Sequence, residues 1–254
     1  PGRGGLLPPF RVRASRHRRG ARLGGLTVRR ASLLAGAASA TGVAVIIDVF
    51  RACSLVAHAL AAGAERVLPV SGIEEARALK AILPDALLVG ERHARPLSGF
   101  DCGNSPTDVL AQPLAGRTII HTTHAGTQGL VAAARSAQSV FTGAFVNAAA
   151  TVAAIRALHP SVVTLVAMGH EAREPCVEDE SCAALLAMRL GEESQGGSPD
   201  EADLPARLRA APAAAKFFDP AADWAPEGDF ALCTSLDQVP FAVALGRSDE
   251  GWLE

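Results

Sequence analysis

Tyrosine is absent from this 254-residue chain, and tryptophan and methionine occur only twice each. Aromatics make up 4% of residues against 49% hydrophobic, so a core must be built from aliphatic and alanine side chains. Five cysteines (Cys53, Cys102, Cys176, Cys182 and Cys233) form an odd set without a CxxC pair. That excludes a dense disulfide scaffold and a zinc ribbon, and fits a reducing compartment. No apolar run approaches the roughly 20 residues needed to span a bilayer as a helix. The seven histidines show no HxxxH or HExxH spacing, which argues against a zinc-binding helix.

Acid is missing from the first 47 residues; the first carboxylate is Asp48. The first 30 residues hold nine of the 24 basic side chains, all arginine, leaving 15 basic against 26 acidic side chains in the remainder. An acidic body excludes general nucleic-acid binding, which rests on clustered positive charge, and suits a protein that holds a cation. Residues 1–25 carry no hydrophobic period and are expected to form a disordered arm. Their arginine-rich, acid-poor composition fits either upstream sequence or an organelle-targeting presequence. Without a targeting role for the arm, the expected location is cytoplasmic.

What is present is alternation of strand-like and helix-like segments. Strands are expected at 43–49, 66–70, 86–91, 117–123, 139–144, 162–168 and 229–235. Helices are expected at 52–64, 73–83, 126–136, 147–158 and 177–190, with a polar loop over 191–203. This order implies a three-layer α/β/α fold with a mostly parallel or mixed sheet. The domain is expected over 26–254, with a division into two subdomains near residue 115. In such folds ligands gather beyond the carboxyl ends of the strands. The chemistry is therefore expected around Asp48, Glu91, Thr122 with Thr123, and the Gly169 loop leading to Glu178 and Asp179.

Each of these positions has a plain alternative. Asp48 follows "VAVII", where a carboxylate needs a hydrogen bond, an ion pair or a metal. It could cap the helix beginning near Ala52, pair with Arg51, or bind a metal. Arg51 is either a surface residue or a fork of donors for phosphate oxygens beside a helix N-terminus. In "GERHARPLSGFDCGNSPTD", Ser105 can N-cap a short helix with Pro106 at the first position and Asp108 at the third. That does not explain Glu91 directly after an apolar strand. "HTTHAGT" offers Gly126 and Thr127 as anion donors, or is an ordinary turn; it is no Walker A loop. Glu178 and Asp179 suit a helix start through the dipole, or supply hard oxygens for Mg²⁺. A nucleophilic Cys53 would want an arginine six positions later, where Ala59 stands.

Taken together, "VIIDVFRACS", "VGER", "GFDCGNSP", "TTHAGT", "GAFVNAAA" and "VEDESCA" resemble, in order, the motifs of the 2-phosphosulfolactate phosphatase family. The resemblance covers about residues 42–190, with a weaker echo at "DFALCTSLDQVP". Two positions depart from the common family pattern: Cys53-Ser54-Leu55 stands where threonines follow Arg-Ala, and Ala125 where asparagine precedes Gly-Thr. The resemblance implies a Mg²⁺-dependent phosphomonoesterase associated with coenzyme M biosynthesis. Such an enzyme converts phosphosulfolactate and water to sulfolactate and phosphate. Asp48, Arg51, Glu91 and Asp101 are the expected catalytic groups. Asn104, Ser105, Thr122, Thr123, Gly126 and Thr127 are expected at the substrate, and Asp48, Glu178 and Asp179 at the metal. The expected partner is a small anionic phosphorylated substrate, with neither nucleic acid nor membrane, and a homodimer is left open. Two other readings remain: a related metal-dependent enzyme on another small anion, and a non-catalytic anion-binding protein of the same fold.

Overall fold

The computed structural model describes residues 25–191 and 203–254. Residues 1–24 of the arm expected over 1–25 and most of the polar loop expected over 191–203 lie outside the described residues. The architecture is three-layered α/β/α, with two mixed sheets instead of one. The first sheet has the order β1 (Thr27–Ser32), β8 (Val162–Ala167), β2 (Val43–Ile47), β7 (Ser139–Gly143), β9 (Ala244–Leu245). All its pairs are parallel except β7 with β9. The second has the order β3 (Arg66–Pro69), β6 (Thr118–Thr122), β4 (Leu87–Arg92), β5 (Arg95–Pro96), parallel except for β4 with β5. The second sheet is thus built wholly from the segment between β2 and β7, and β4 and β6, on either side of residue 115, are neighbours within it.

Two-sided burial explains why these strands read as unbroken apolar runs rather than as alternating ones. Along β2, Val43, Val45 and Ile47 face one core, shared with α6 (Ala148–Ala157) and α7 (Val177–Leu190). Ala44 and Ile46 face the other, shared with α1 (Leu33–Ala38) and α5 (Gly126–Ala133). The second sheet repeats the scheme. Leu87 and Val89 of β4 and Ile119 of β6 meet α2 (Ala52–Ala61), while Leu88 and Ile120 meet α3 (Ile73–Ile82). Each fully buried Val, Leu or Ile adds about 1.5–3 kcal/mol. Helix α2 joins the two halves: Leu55, Val56 and Ala59 pack on the second sheet, and Cys53 and Ala57 pack on Ala144 and Val146 beyond β7.

The remaining elements are α4 (Pro106–Leu110), α8 (Leu204–Arg209) and α9 (Glu227–Thr234), with 3-10 turns at Phe145–Asn147 and Pro212–Phe218. Helix α9 corrects the strand expected over 229–235. Pro226 precedes it and Glu227 and Asp229 lie in its first turn, where acids favour a helix start. No helix among the described residues is long and apolar enough to cross a membrane.

Parallel register decides where the strand tips meet. Ile47 lies beside Ala167 on one side and Gly143 on the other, so Asp48 emerges next to the Met168–Gly169 turn. Gly90 lies beside Thr122, so Glu91 emerges beside the turn that follows β6.

Candidate active site

Both sets of tips open into one cleft. Asp48, Arg51, Glu91, Asn104, His124, Glu171, Glu178, Asp179 and Lys216 are among the side chains lining it. Asp48, Arg51, Glu91, Asn104, Glu178 and Asp179 were all singled out from sequence.

The acids are held by backbone donors. Asp179, in the first turn of α7, accepts from the Val49 N–H through Oδ1 and from the Gly169 N–H through Oδ2, both at 2.8 Å. It thereby ties the tips of β2 and β8 together. Asp48 Oδ1 accepts from the Ala52 N–H at 3.2 Å, so the capping role open to it is real. A Cβ at Gly126 would sit 2.7 Å from Asp48 Oδ2, so only glycine lets α5 begin this close to the carboxylate. Glu178 is buried, and its Oε2 has no hydrogen-bond partner among the described residues.

The electrostatics show a site short of positive charge. Burial, then the charge of Glu91, raises the Asp48 carboxyl to about 6. Burial, then the charges of Asp48 and Glu178, pushes Asp179 well above the usual carboxylate range. Lys216, from the Pro212–Phe218 turn, is lowered by burial and then by the neighbouring Arg51. Its Nζ stands 5.9 Å from the Phe50 ring centroid and 5.1 Å from that of Phe217.

Arg51 does not pair with Asp48. Its Nη1 donates to Asp229 Oδ2 at 2.6 Å and to the Trp224 carbonyl at 2.8 Å, with both charged side chains almost fully buried. Asp229 Oδ1 in turn accepts from Ser105 Oγ and the Thr107 N–H, each at 2.9 Å. One α9 carboxylate therefore fixes the Arg51 fork by one nitrogen. Among the described residues Nη2 and Nε have no hydrogen-bond partner, which leaves donors for an anion in the cleft.

Other expected site residues are occupied elsewhere. Asp101 accepts from the Leu88 N–H at 2.7 Å and lies 3.3 Å from Lys80 Nζ, away from the cleft lining. Ser105 caps α4 by accepting from the Asp108 N–H at 3.2 Å, with Pro106 at the first position as its spacing predicts. Thr122 Oγ1 accepts from Arg92 Nη2 at 3.0 Å. Thr123 and Thr127 bond each other: the Thr123 N–H donates to Thr127 Oγ1 at 2.8 Å, and the Thr127 N–H to Thr123 Oγ1 at 3.1 Å. Burial pushes the Cys53 thiol well above its ordinary pKa, and its Sγ lies 3.2 Å from the Ile46 carbonyl, so it is no poised nucleophile.

Sequence reasoning missed Lys216, His124, Glu171 and Asp229. Two of them had a signal: His124 stands inside the "HTTHAGT" motif, and Asp229 opens the segment that echoes the family beyond residue 190. The histidines matter because His93, His124 and Glu171 offer ligand atoms all within 4.8 Å of one another. Absence of a histidine-bearing helix did not exclude this, because each residue comes from a different loop. A second set, Cys176, Glu178 and Asp179, meets the same distance criterion.

The sequence profile of 2-phosphosulpholactate phosphatase matches residues 30–223. The chain belongs to this family. It is 40% identical over 158 residues to a protein of Carboxydothermus hydrogenoformans named as a probable 2-phosphosulfolactate phosphatase, covering 62% of this chain and 64% of that one. Proteins of the same name from Nostoc sp. and Deinococcus radiodurans are 36% and 37% identical, covering 60% and 58% of this chain and 62% and 61% of theirs. The chain thus spans somewhat less than two thirds of the length of these relatives. The 2-phosphosulfolactate phosphatase profile extends past the main motifs, which end near residue 190, to include Lys216, and stops before the echo that opens at Asp229.

Proposed function

We propose that this chain is a Mg²⁺-dependent phosphatase of small, acidic phosphomonoesters, with phosphosulfolactate as the leading substrate. The observation that carries this is the meeting, in one cleft, of the buried, mutually repelling carboxylates Asp48, Glu178 and Asp179 with two cationic side chains, Arg51 and Lys216. The donor set fits the ion. Asp48, Glu178 and Asp179 supply hard oxygens, Glu178 Oε2 is buried without a partner among the described residues, and Mg²⁺ is held by a few carboxylates plus water. Bound there, Mg²⁺ would supply charge neutralisation at the phosphoryl oxygens.

The side chains divide the remaining work. Arg51, steadied by Asp229, would grip the phosphate oxygens through its free donors and hold the group in line. Lys216 would add a second positive charge for the carboxylate or sulfonate of the substrate. Asn104 lines the cleft, and its Oδ1 is 3.1 Å from His121 Nε2, which leaves its amide NH₂ free to donate to substrate. Glu91 is a positioning residue: its Oε1 accepts from the His124 N–H at 2.7 Å and its Oε2 from the Ala94 N–H at 2.8 Å.

Incubation of the purified chain with phosphosulfolactate and other small phosphomonoesters, with Mg²⁺ or after exhaustive chelation, tests this. Phosphate release only with the divalent ion is expected. Undiminished release from metal-free protein would overturn the metal assignment. No release from any ester would favour the non-catalytic anion-binding reading.

A further inference from the structure

The cleft carries a second group of potential ligands with different chemistry. His93 follows β4, His124 follows β6 and Glu171 follows β8, so three strand ends from two sheets converge. His93 Nδ1 lies 2.6 Å from Glu171 Oε1, and the His93 and His124 rings stand edge to face with centroids 4.8 Å apart. His124 Nδ1 is buried and has no hydrogen-bond partner among the described residues. The group is also braced. Glu91 holds the His124 N–H with one oxygen and the Ala94 N–H, next to His93, with the other. A buried carboxylate therefore fixes both histidine-bearing turns relative to each other before any ion arrives.

We propose that His93, His124 and Glu171 bind a divalent transition ion of the Zn²⁺ or Co²⁺ type, distinct from the oxygen set for Mg²⁺. Two imidazoles and one carboxylate suit such ions, whereas Mg²⁺ takes oxygen and dehydrates reluctantly. Three protein ligands leave a tetrahedral ion one open position, the arrangement of catalytic rather than structural sites. His124 and Glu171 both line the cleft, so the fourth ligand would be water or an oxygen of a molecule held there. Arg173 Nη1, 4.0 Å from Glu171 Oε2, is three-quarters exposed and can swing away when an ion arrives. The proposal does not depend on the phosphatase reading, because its test reads metal binding alone.

The experiment titrates Co²⁺ into the full chain, stripped by chelation and then supplied with a large excess of Mg²⁺ to fill the oxygen set. The expected result is a single Co²⁺ with ligand-field absorption and no sulfur-to-cobalt charge transfer. His93→Asn and Glu171→Gln should each weaken it by about 100-fold or more, because loss of even an outer-shell partner costs about 10–100-fold. His93 has a 68% exposed side chain, so its replacement leaves the fold intact. Wild-type affinity in His93→Asn, a thiolate band pointing to the cysteines, displacement by Mg²⁺, or no bound Co²⁺ would each overturn the proposal.

Discussion

The carboxylate wall at the tips of β2 and β8 and the threonine turn after β6 look alike in sequence: polar residues directly after an apolar strand. Their side chains end up in opposite conditions. In the turn, Thr123 and Thr127 satisfy each other and Thr122 is taken by Arg92. In the wall, Glu178 keeps a buried oxygen without a partner among the described residues, and Asp48 and Asp179 are raised above the ordinary carboxylate range by burial and then by neighbouring carboxylates. What separates architecture from chemistry is therefore unspent polar capacity. A saturated hydrogen-bond network rigidifies; an unsaturated one is a standing demand for a ligand.

The largest effect should come from the wall. Asp48→Asn is expected to lower Mg²⁺-dependent turnover by about 10²–10³-fold, the scale of losing one charge-stabilising group. Its melting temperature should hold or rise, since asparagine caps about as well as aspartate without a buried charge to desolvate. Kinetics across a Mg²⁺ titration beside thermal melts would check this, and normal turnover with lost stability would make Asp48 a cap alone.

A somewhat smaller effect should appear in the strand that carries the turn. Burial lowers His121 of β6 from its ordinary 6.5 to about 4. The folded chain keeps it neutral while the unfolded chain protonates it. Its stabilising share is thus complete above pH 6.5 and is lost as pH falls toward 4, a loss of about 3 kcal/mol. Melts of the wild type and His121→Gln between pH 7 and 4 should converge by that amount, and parallel curves would break the assignment.

The smallest effect tests the turn itself. Thr127→Val leaves the Thr123 N–H without its acceptor and should cost about 1–2 kcal/mol by denaturant unfolding. Turnover of the folded variant should stay at the wild-type level. A tenfold fall in kcat would move Thr127 into the substrate site and collapse the contrast between the two regions.

Apart from the exposed edge strand β1 and helix α1, which no expectation covered, the longer sheet strands and their covering helices were legible because two-sided burial writes itself as apolar runs, and α7 is found over the residues expected for it. Helix α9 was not. "DFALCTS" reads as a short apolar run like a buried strand, and what fixes its helical state is an acidic first turn and the tertiary demand that Asp229 reach Arg51. The strand-tip rule brought Asp48, Arg51, Glu91, Glu178 and Asp179 to one cleft, because parallel register forces neighbouring tips together. It passed over His124, which directly follows the Thr122–Thr123 tip, and it could not find Lys216 or Glu171, which meet the others only through loops with no local period. Nor could it foresee that Asp101 would be spent on the Leu88 N–H, since sequence lists polar atoms without saying which are already engaged.

The Asp229 latch has a consequence for how the protein is made. Arg51, Ser105 and Thr107 precede their common partner by 178, 124 and 122 residues. Chains emerge from the ribosome N-terminus first, and early segments can settle before late ones exist. Both sheets except for the short β9 strand are synthesised before residue 229. The arginine must then wait, in a nearly folded nascent chain, for a carboxylate still being translated. Anion-binding competence should therefore appear late and abruptly, once α9 has cleared the exit tunnel, rather than growing with chain length.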